Sequence, residues 1–358
     1  MRYVPSLCLR EGMTLGKDII GTCGQTLLRE GVVLNKSYVN TIVNMGFAGV
    51  YINDDLSNDI EVISIVSDDL RQKTITGVRD LFLSIDINEK NAAEKMIQVK
   101  QRVNEILEEV LENGHLVINM MDLKFFDDYT YQHSVNVAIL SMVFGASLNL
   151  KKDKLYQLGL GALLHDIGKV FIDKNILNKP GRLTEEEFKI IKQHSMLGYE
   201  YLRNQFDFPI VSYMATLDHH EKIDGTGYPR GKEGKNISLF GKIISIVDVY
   251  DALTSKRPYR VAMQPSEAIE YLMAGAGTSF DYELVTKFIK KVAAYPVGNC
   301  VTLSNGYKAI VINNFEDANL RPEVRVFEQN GEPIEPFEIN LRDDRRYLNT
   351  IIESIVNE

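Results

Sequence analysis

Five of the six histidines in this 358-residue chain fall within residues 133–260, at His133, His165, His194, His219 and His220. Two of them sit in short polar clusters: His165-Asp166 inside Leu163–Lys169, and His219-His220 directly before Glu221. An imidazole offers one ligating nitrogen and a carboxylate two oxygens, so a His-Asp pair can hold one metal while the second oxygen of the aspartate reaches another. That makes Asp166 the natural bridge. Asp248, which closes the run Ile243–Val247, brings the set to seven candidate ligands, too many for one tetrahedral zinc site. Mixed imidazole and carboxylate ligands without thiolate suit iron or manganese, with zinc, cobalt and nickel as alternatives. A lone buried histidine is usually a satisfied core residue, and His115 is read that way. Lys169, three residues after Asp166 and four after His165, would share their face of a helix. It could complement a helix C-terminus or neutralise a phosphate beside the metals.

The elements that must carry these residues read as helices. Apolar positions recur at helical spacing in Val135–Leu148, Leu155–Leu164, Phe188–Leu202, Ile210–Leu217, Gly241–Leu253 and Ala268–Met273. Thr184 before Glu185, Glu186 and Glu187 is a helix start, and Pro265-Ser266-Glu267 signals another. The fold class expected is mainly α: a helical bundle over residues 115–296 with its histidines near helix ends. Residues 1–64, punctuated by Gly12, Gly16, Gly21, Gly24 and Gly31, read as a small mixed α/β domain, with a helix at Ser37–Met45 and a strand at Phe47–Ile52. It carries no catalytic constellation and is either a structural or oligomerising module or a sensor. Residues 65–114 read as two connecting helices, ending at Gly114, whose apolar stripes pack within the chain or pair two copies of it. Residues 297–358 turn to β, with strands at Val301–Leu303, Lys308–Ile312 and Val324–Phe327, turns at Asn305-Gly306 and Asn330-Gly331, and a last helix over 345–356.

Charge and cysteine usage narrow the partners. A net charge of −9 argues against a polynucleotide or an anionic membrane as the main partner, because both are bound through basic surfaces. An anionic ligand must be held locally. Cys8, Cys23 and Cys300 are widely spaced, with no C-x-x-C pattern, which suggests neither a disulfide framework nor a thiolate metal site. A reducing cytoplasm fits best. No stretch approaches the roughly 20 apolar residues of a membrane helix, so no membrane insertion is expected.

The series His133-Ser134, His165-Asp166-Ile167-Gly168-Lys169, Lys179-Pro180-Gly181, Gln193-His194, His219-His220-Glu221, Asp224-Gly225-Thr226-Gly227-Tyr228-Pro229, Asp248-Val249-Tyr250-Asp251 and Arg257-Pro258-Tyr259-Arg260 resembles, in order, the HD-GYP family of cyclic-dinucleotide phosphodiesterases. The resemblance implies an HD-type bundle holding two divalent metal ions. His133, His165, Asp166 and Asp248 would hold one, and Asp166 with His194, His219 and His220 the other, close enough to share a hydroxide. By the same resemblance Asp166, Lys169 and Asp251 form the catalytic set, with Lys169 on phosphate and Asp251 orienting a ligand or the water. Lys169, Gly227, Tyr228, Arg257 and Arg260 contact substrate. The Gly-Tyr-Pro loop could otherwise be only a tight turn with its glycines at positive φ. Glu221 and Asp224 could bond to the ligands or be solvated charges. Family members with three metals carry glutamate where this chain has Tyr129, so two metals are expected.

The function implied is hydrolysis of cyclic di-GMP to pGpG, with onward cleavage to GMP left open. The alternatives are a hydrolase of another cyclic dinucleotide, such as cyclic GMP-AMP, and a non-catalytic cyclic-dinucleotide receptor. A homodimer and signalling protein partners are further expectations.

Overall fold

The computed structural model describes residues 1–21, 25–87, 91–113, 117–118, 129–205, 207–255 and 262–356. His115, Gly114, Arg257 and Arg260 lie outside them, as does the side chain of Tyr129.

The chain opens with a small mixed module: β1 (Arg2–Pro5), β2 (Thr14–Leu15), β3 (Ile19–Ile20), β4 (Thr26–Leu28), α1 (Lys36–Asn44) and β5 (Gly49–Asn53). β5 lies between β1 and β2 in an antiparallel sheet, and β3 pairs with β4. Asn35 caps α1 by accepting from the Tyr38 amide at 2.9 Å.

Two long helices follow, α2 (Asp68–Asp86) and α3 (Ala92–Asn113). Asp68 and Asp69 favour the positive start of α2, and the Glu109 carboxylate on α3 accepts from Ser67 N at 2.6 Å and Ser67 Oγ at 2.9 Å. Most of their apolar stripes pack inside the chain, where Leu70, Val78, Leu81, Val103, Ile106 and Val110 share one core with the helices downstream, while Ile97 and Leu111 stay exposed.

Those helices are α4 (Tyr129–Ser147), α5 (Lys152–Leu163), α6 (Lys174–Leu177), α7 (Glu185–Lys192), α8 (His194–Arg203), α9 (Ile210–Asp218), α10 (Leu239–Thr254), α11 (Pro265–Ala274) and α12 (Tyr282–Phe288). α4 is buried without a break from Gln132 to Gly145 and packs on α5, α10, α2 and α3, the position expected of a helix apolar on every side. Thr184 and Glu187 form a reciprocal cap on α7. α11 places Pro265 in its first turn and is capped by Gln264, one residue before the expected start.

The single helix expected over Phe188–Leu202 is two, α7 and α8, meeting at Gln193. The break coincides with the His194 ring taking the Ile191 carbonyl, 2.7 Å from Nδ1. The helical turn expected to carry Lys169 beside His165 also differs. α5 stops at Leu163, and Ile167–Phe171 is a 3-10 turn.

After residue 299 the chain forms an antiparallel sheet of β6 (Cys300–Leu303), β7 (Tyr307–Asn313), β8 (Glu323–Gln329), β9 (Glu332–Asn340) and β10 (Ile352–Ile355), in the order β10-β6-β7-β8-β9. β9 is additional to the expected strands, because Pro333 and Pro336 interrupt its pattern. It sits at the sheet's edge, where a missing donor is tolerated. The expected helix over 345–356 is instead one 3-10 turn at Arg345–Tyr347 followed by β10. Arg321 accounts for the difference: its guanidinium donates to Tyr347 O at 2.9 Å and Thr350 O at 3.3 Å, carbonyls that a helix would use internally. The sheet packs on the N-terminal module. Arg325 bonds Asp59 at 2.6 Å and Leu56 O at 3.0 Å, and Tyr3 N donates to Gly298 O at 2.9 Å. Among the described residues no helix is long and apolar enough to cross a membrane.

Candidate metal centre

The last carbonyls of a helix have no partner within it, and three of the histidines use this. His165 Nδ1 is 2.7 Å from Ala162 O at the end of α5, His194 Nδ1 is 2.7 Å from Ile191 O at the end of α7, and His219 Nδ1 is 2.6 Å from Thr216 O at the end of α9. A carbonyl only accepts, so each Nδ1 carries the hydrogen, and Nε2 is the atom left to face the centre. Burial pushes the His194, His219 and His220 imidazoles below their ordinary range, His220 to about 3, which keeps them neutral near pH 7.

The structure brings all seven candidate ligands into two adjoining groups. Asp166, His194, His219 and His220 form one, and His133, His165 and Asp248 the other; within each group the ligand atoms lie within 4.8 Å of one another. Asp166 stands between the groups. Its Oδ2 is 3.4 Å from His165 Nε2, and its Oδ1 is 3.4 Å from His194 Nε2. Its backbone, φ −98° and ψ 6°, lies in the sparsely allowed bridge region where many active-site residues sit. The junction is tight because Gly168 lies on α8: a Cβ there would sit 1.9 Å from His194 O.

Two observations test whether these residues fit a metal. His194 Nε2 and His219 Nε2 face each other at 3.3 Å, both as lone pairs, which repel unless a cation lies between them. His165 Nε2 is buried and makes no hydrogen bond, which is costly for a ring nitrogen unless it has a ligand to hold. Imidazole and carboxylate donors without a thiolate complete the fit to a divalent metal site.

The surrounding charges are compensated. Burial alone would lower the His133 imidazole, but Asp248 at 3.0 Å from Nε2 and Asp251 at 2.7 Å from Nδ1 raise it to about 9. Burial works against ionisation of Asp166 and Asp248, yet the Lys169 ammonium beside the first, and His133 beside the second, hold both carboxyls below their usual range. Lys169 reaches back to Asp166 Oδ2 at 2.5 Å. Asp251 is fully buried behind His133, on the side of the ring away from Nε2.

The Gly-Tyr-Pro loop is built against the same group. Tyr228 N donates to His220 O at 3.1 Å, the two rings are 4.7 Å apart, and Lys192 Nζ is 5.2 Å from the Tyr228 ring centre. Gly225 takes a positive φ of 79°, but Gly227 is needed for a different reason: a Cβ there would meet Lys222 N at 2.3 Å. Glu221 is buried, and its carboxylate accepts from Arg230 N at 2.8 Å and Lys232 N at 2.9 Å, holding the returning arm of the loop. Asp224 is exposed and turns the chain by accepting from Thr226 N at 2.9 Å.

Two participants escape a reading of the sequence. Asp218, fully buried, accepts from Lys232 Nζ at 2.7 Å and Ser238 N at 3.0 Å. Asn136 donates to Asp251 at 3.0 Å. Their only signals are an acid directly before His219 and an amide one turn after His133 in a mostly apolar helix.

Residues 115–284 match a family model described as an HD domain. The chain is 39% identical over 225 residues to a cyclic di-GMP phosphodiesterase of Pseudomonas aeruginosa, covering 63% of this chain and 54% of that one. It is 30% identical over 232 residues to a cyclic di-GMP phosphodiesterase response regulator of Xanthomonas campestris, covering 64% and 61% respectively. A 3'3'-cGAMP-specific phosphodiesterase of Vibrio cholerae matches at 39% over 166 residues, 46% of this chain and 38% of that one. The chain thus spans little more than half the length of the first two relatives. Among solved structures, an HDG"Y"P protein from Bdellovibrio bacteriovorus superposes with a TM-score of 0.53 at 18% identity, over 80% of this chain and 97% of that one, a likeness of fold.

Proposed function

We propose that the chain, whose residues 115–284 match the HD-domain family model and whose motifs resemble the HD-GYP family, is a metal-dependent phosphodiesterase that opens cyclic di-GMP to pGpG. One observation carries the reading: the Asp166 carboxylate turns one oxygen toward each of two histidine groups, as a ligand shared by two ions must.

In this reading His133, His165, Asp166 and Asp248 hold one ion, and Asp166, His194, His219 and His220 the other. Two divalent ions, when bound, supply Lewis acidity toward the phosphodiester and activate water. Iron or manganese suits the donor set. The chain's own residues do the rest. Lys169, released from Asp166, brings a cation to the phosphate. Asp251 keeps the Nδ1 hydrogen of His133 in place, which orients Nε2 toward the ion. Tyr228, stacked beside His220 and packed under Lys192, forms a wall against which a purine can lie. Gly227 lets that wall approach the ligands, and Arg257 and Arg260 add cations for the second phosphate or a guanine edge. A cytoplasmic site of action accompanies this substrate class.

The test is anaerobic turnover by the purified protein loaded with ferrous iron or manganese, products separated by chromatography, with Asp166→Ala as control. pGpG or GMP from the intact protein alone is the expected result. Because some relatives are named as cGAMP-specific, 3'3'-cGAMP is run in parallel; faster turnover of it would replace cyclic di-GMP as the substrate. No product from either dinucleotide, with two ions bound, would overturn the enzymatic reading in favour of a receptor.

A further inference from the structure

Behind His133 the bonds continue. Asp251 Oδ2 holds His133 Nδ1 at 2.7 Å, and Asp251 Oδ1 accepts from Asn136 Nδ2 at 3.0 Å. Asn136 is one turn beyond His133 on the same face of α4 and is 5% exposed. Its carbonyl oxygen accepts from Arg71 Nη1 on α2 at 3.1 Å. The orientation of the amide is fixed by its neighbours, since its NH2 must face the carboxylate and its oxygen the guanidinium. Four side chains therefore run in line: Arg71, Asn136, Asp251, His133. A buried amide is costly when left unbonded, so helix packing alone gives no reason for Asn136.

We propose that Asn136 and Arg71 are positioning residues for the His133 group: they set the Asp251 carboxylate, and through it the ring plane of His133, so that the first turn of α2 is mechanically linked to the metal centre. This rests on the reading of the two groups as a metal site. The outer end of the link meets the N-terminal module. Lys17 Nζ lies 3.3 Å from Asp68 Oδ2 at the start of α2 and donates to Ser64 Oγ at 2.9 Å. A partner or ligand that shifts the module against α2 would act on His133 through hydrogen bonds, leaving the His194 group, held by its own helix ends, largely unaffected.

The experiment is stepwise manganese binding to the full chain, by calorimetry and by the spin-resonance signal of a coupled ion pair. It compares the unaltered protein with Asn136→Leu, Arg71→Met and Arg71→Lys. Asn136→Leu is expected to weaken one ion about tenfold to a hundredfold, the range for loss of an outer partner of a ligand, and to leave the other unchanged. The coupled-pair signal should then vanish at metal concentrations that fill the unaltered protein. Arg71→Met should act in the same direction, and Arg71→Lys, which can still donate to Asn136, should restore most of the affinity. Arg71 is only partly buried, so its variants decide the matter if Asn136→Leu does not fold. Unchanged binding of both ions in Asn136→Leu and Arg71→Met would overturn the link. Equal weakening of both would also overturn it, by showing a general structural role. An unaltered chain that binds no manganese would overturn the metal reading itself.

Discussion

At the scale of single residues, the two oxygens of Asp166 make the sharpest prediction. Asp166→Ala should lose both ions together, falling from about two equivalents to none by elemental analysis of the dialysed protein. Retention of one ion would show that the carboxylate serves one group only. Glu221 gives a second prediction. Its two oxygens hold the backbone N–H groups of Arg230 and Lys232, and the single carbonyl oxygen of glutamine can replace only one of them, so Glu221→Gln should cut turnover about tenfold or more while both ions stay bound. Unchanged turnover would make the clamp irrelevant to catalysis. The candidate ligands are plain in the sequence, because five histidines and two aspartates gathered into short polar runs are out of place in an apolar bundle. The roles of Glu221 and Asp218 are not, because a carboxylate that binds backbone amides looks the same in sequence as one in water. Nor is that of Asn136, whose significance depends on Arg71, 65 positions earlier in the chain.

At the scale of elements, the helices are legible because their apolar periods are long and their caps explicit. Their exact ends are less so, since a histidine side chain that caps a carbonyl carries no periodic signal. This is why α7 and α8 read as one helix and why the Lys169 turn reads as helical. β9 and the chain's last segment are hidden for a related reason. Prolines that only an edge strand tolerates, and carbonyls claimed by Arg321, are facts about neighbours distant in sequence. The 3-10 turn and α8 give the prediction at this scale. In Gly168→Ala the new methyl group would be driven against the His194 carbonyl, so the two elements must separate. The expected outcome is a loss of about 1–3 kcal/mol or more in denaturant unfolding, together with weaker binding at the His194 group. A variant with unaltered midpoint and metal affinity would mean that the junction has slack the geometry does not show.

At the scale of the whole molecule, the N-terminal module and the C-terminal sheet brace each other through Arg325, whose guanidinium serves Asp59, Glu338 and the Leu56 carbonyl at once. Arg325→Met should speed hydrogen exchange around residues 54–60 and leave metal content unchanged; altered metal content would show that the brace reaches the bundle core. The candidate ligands are scattered along the fold: His133 on α4, His165 and Asp166 after α5, His194 opening α8, His219 and His220 closing α9, and Asp248 on α10. Ions bound there would tie together segments more than a hundred residues apart in sequence. Survival of the protein should therefore follow metal supply as closely as turnover does. With metal at a hundred times its dissociation constant the folded state gains about 2.7 kcal/mol, and chelation should shorten its half-life under protease accordingly. In a cell short of metal, such a protein would be depleted from the pool as well as left without its ions.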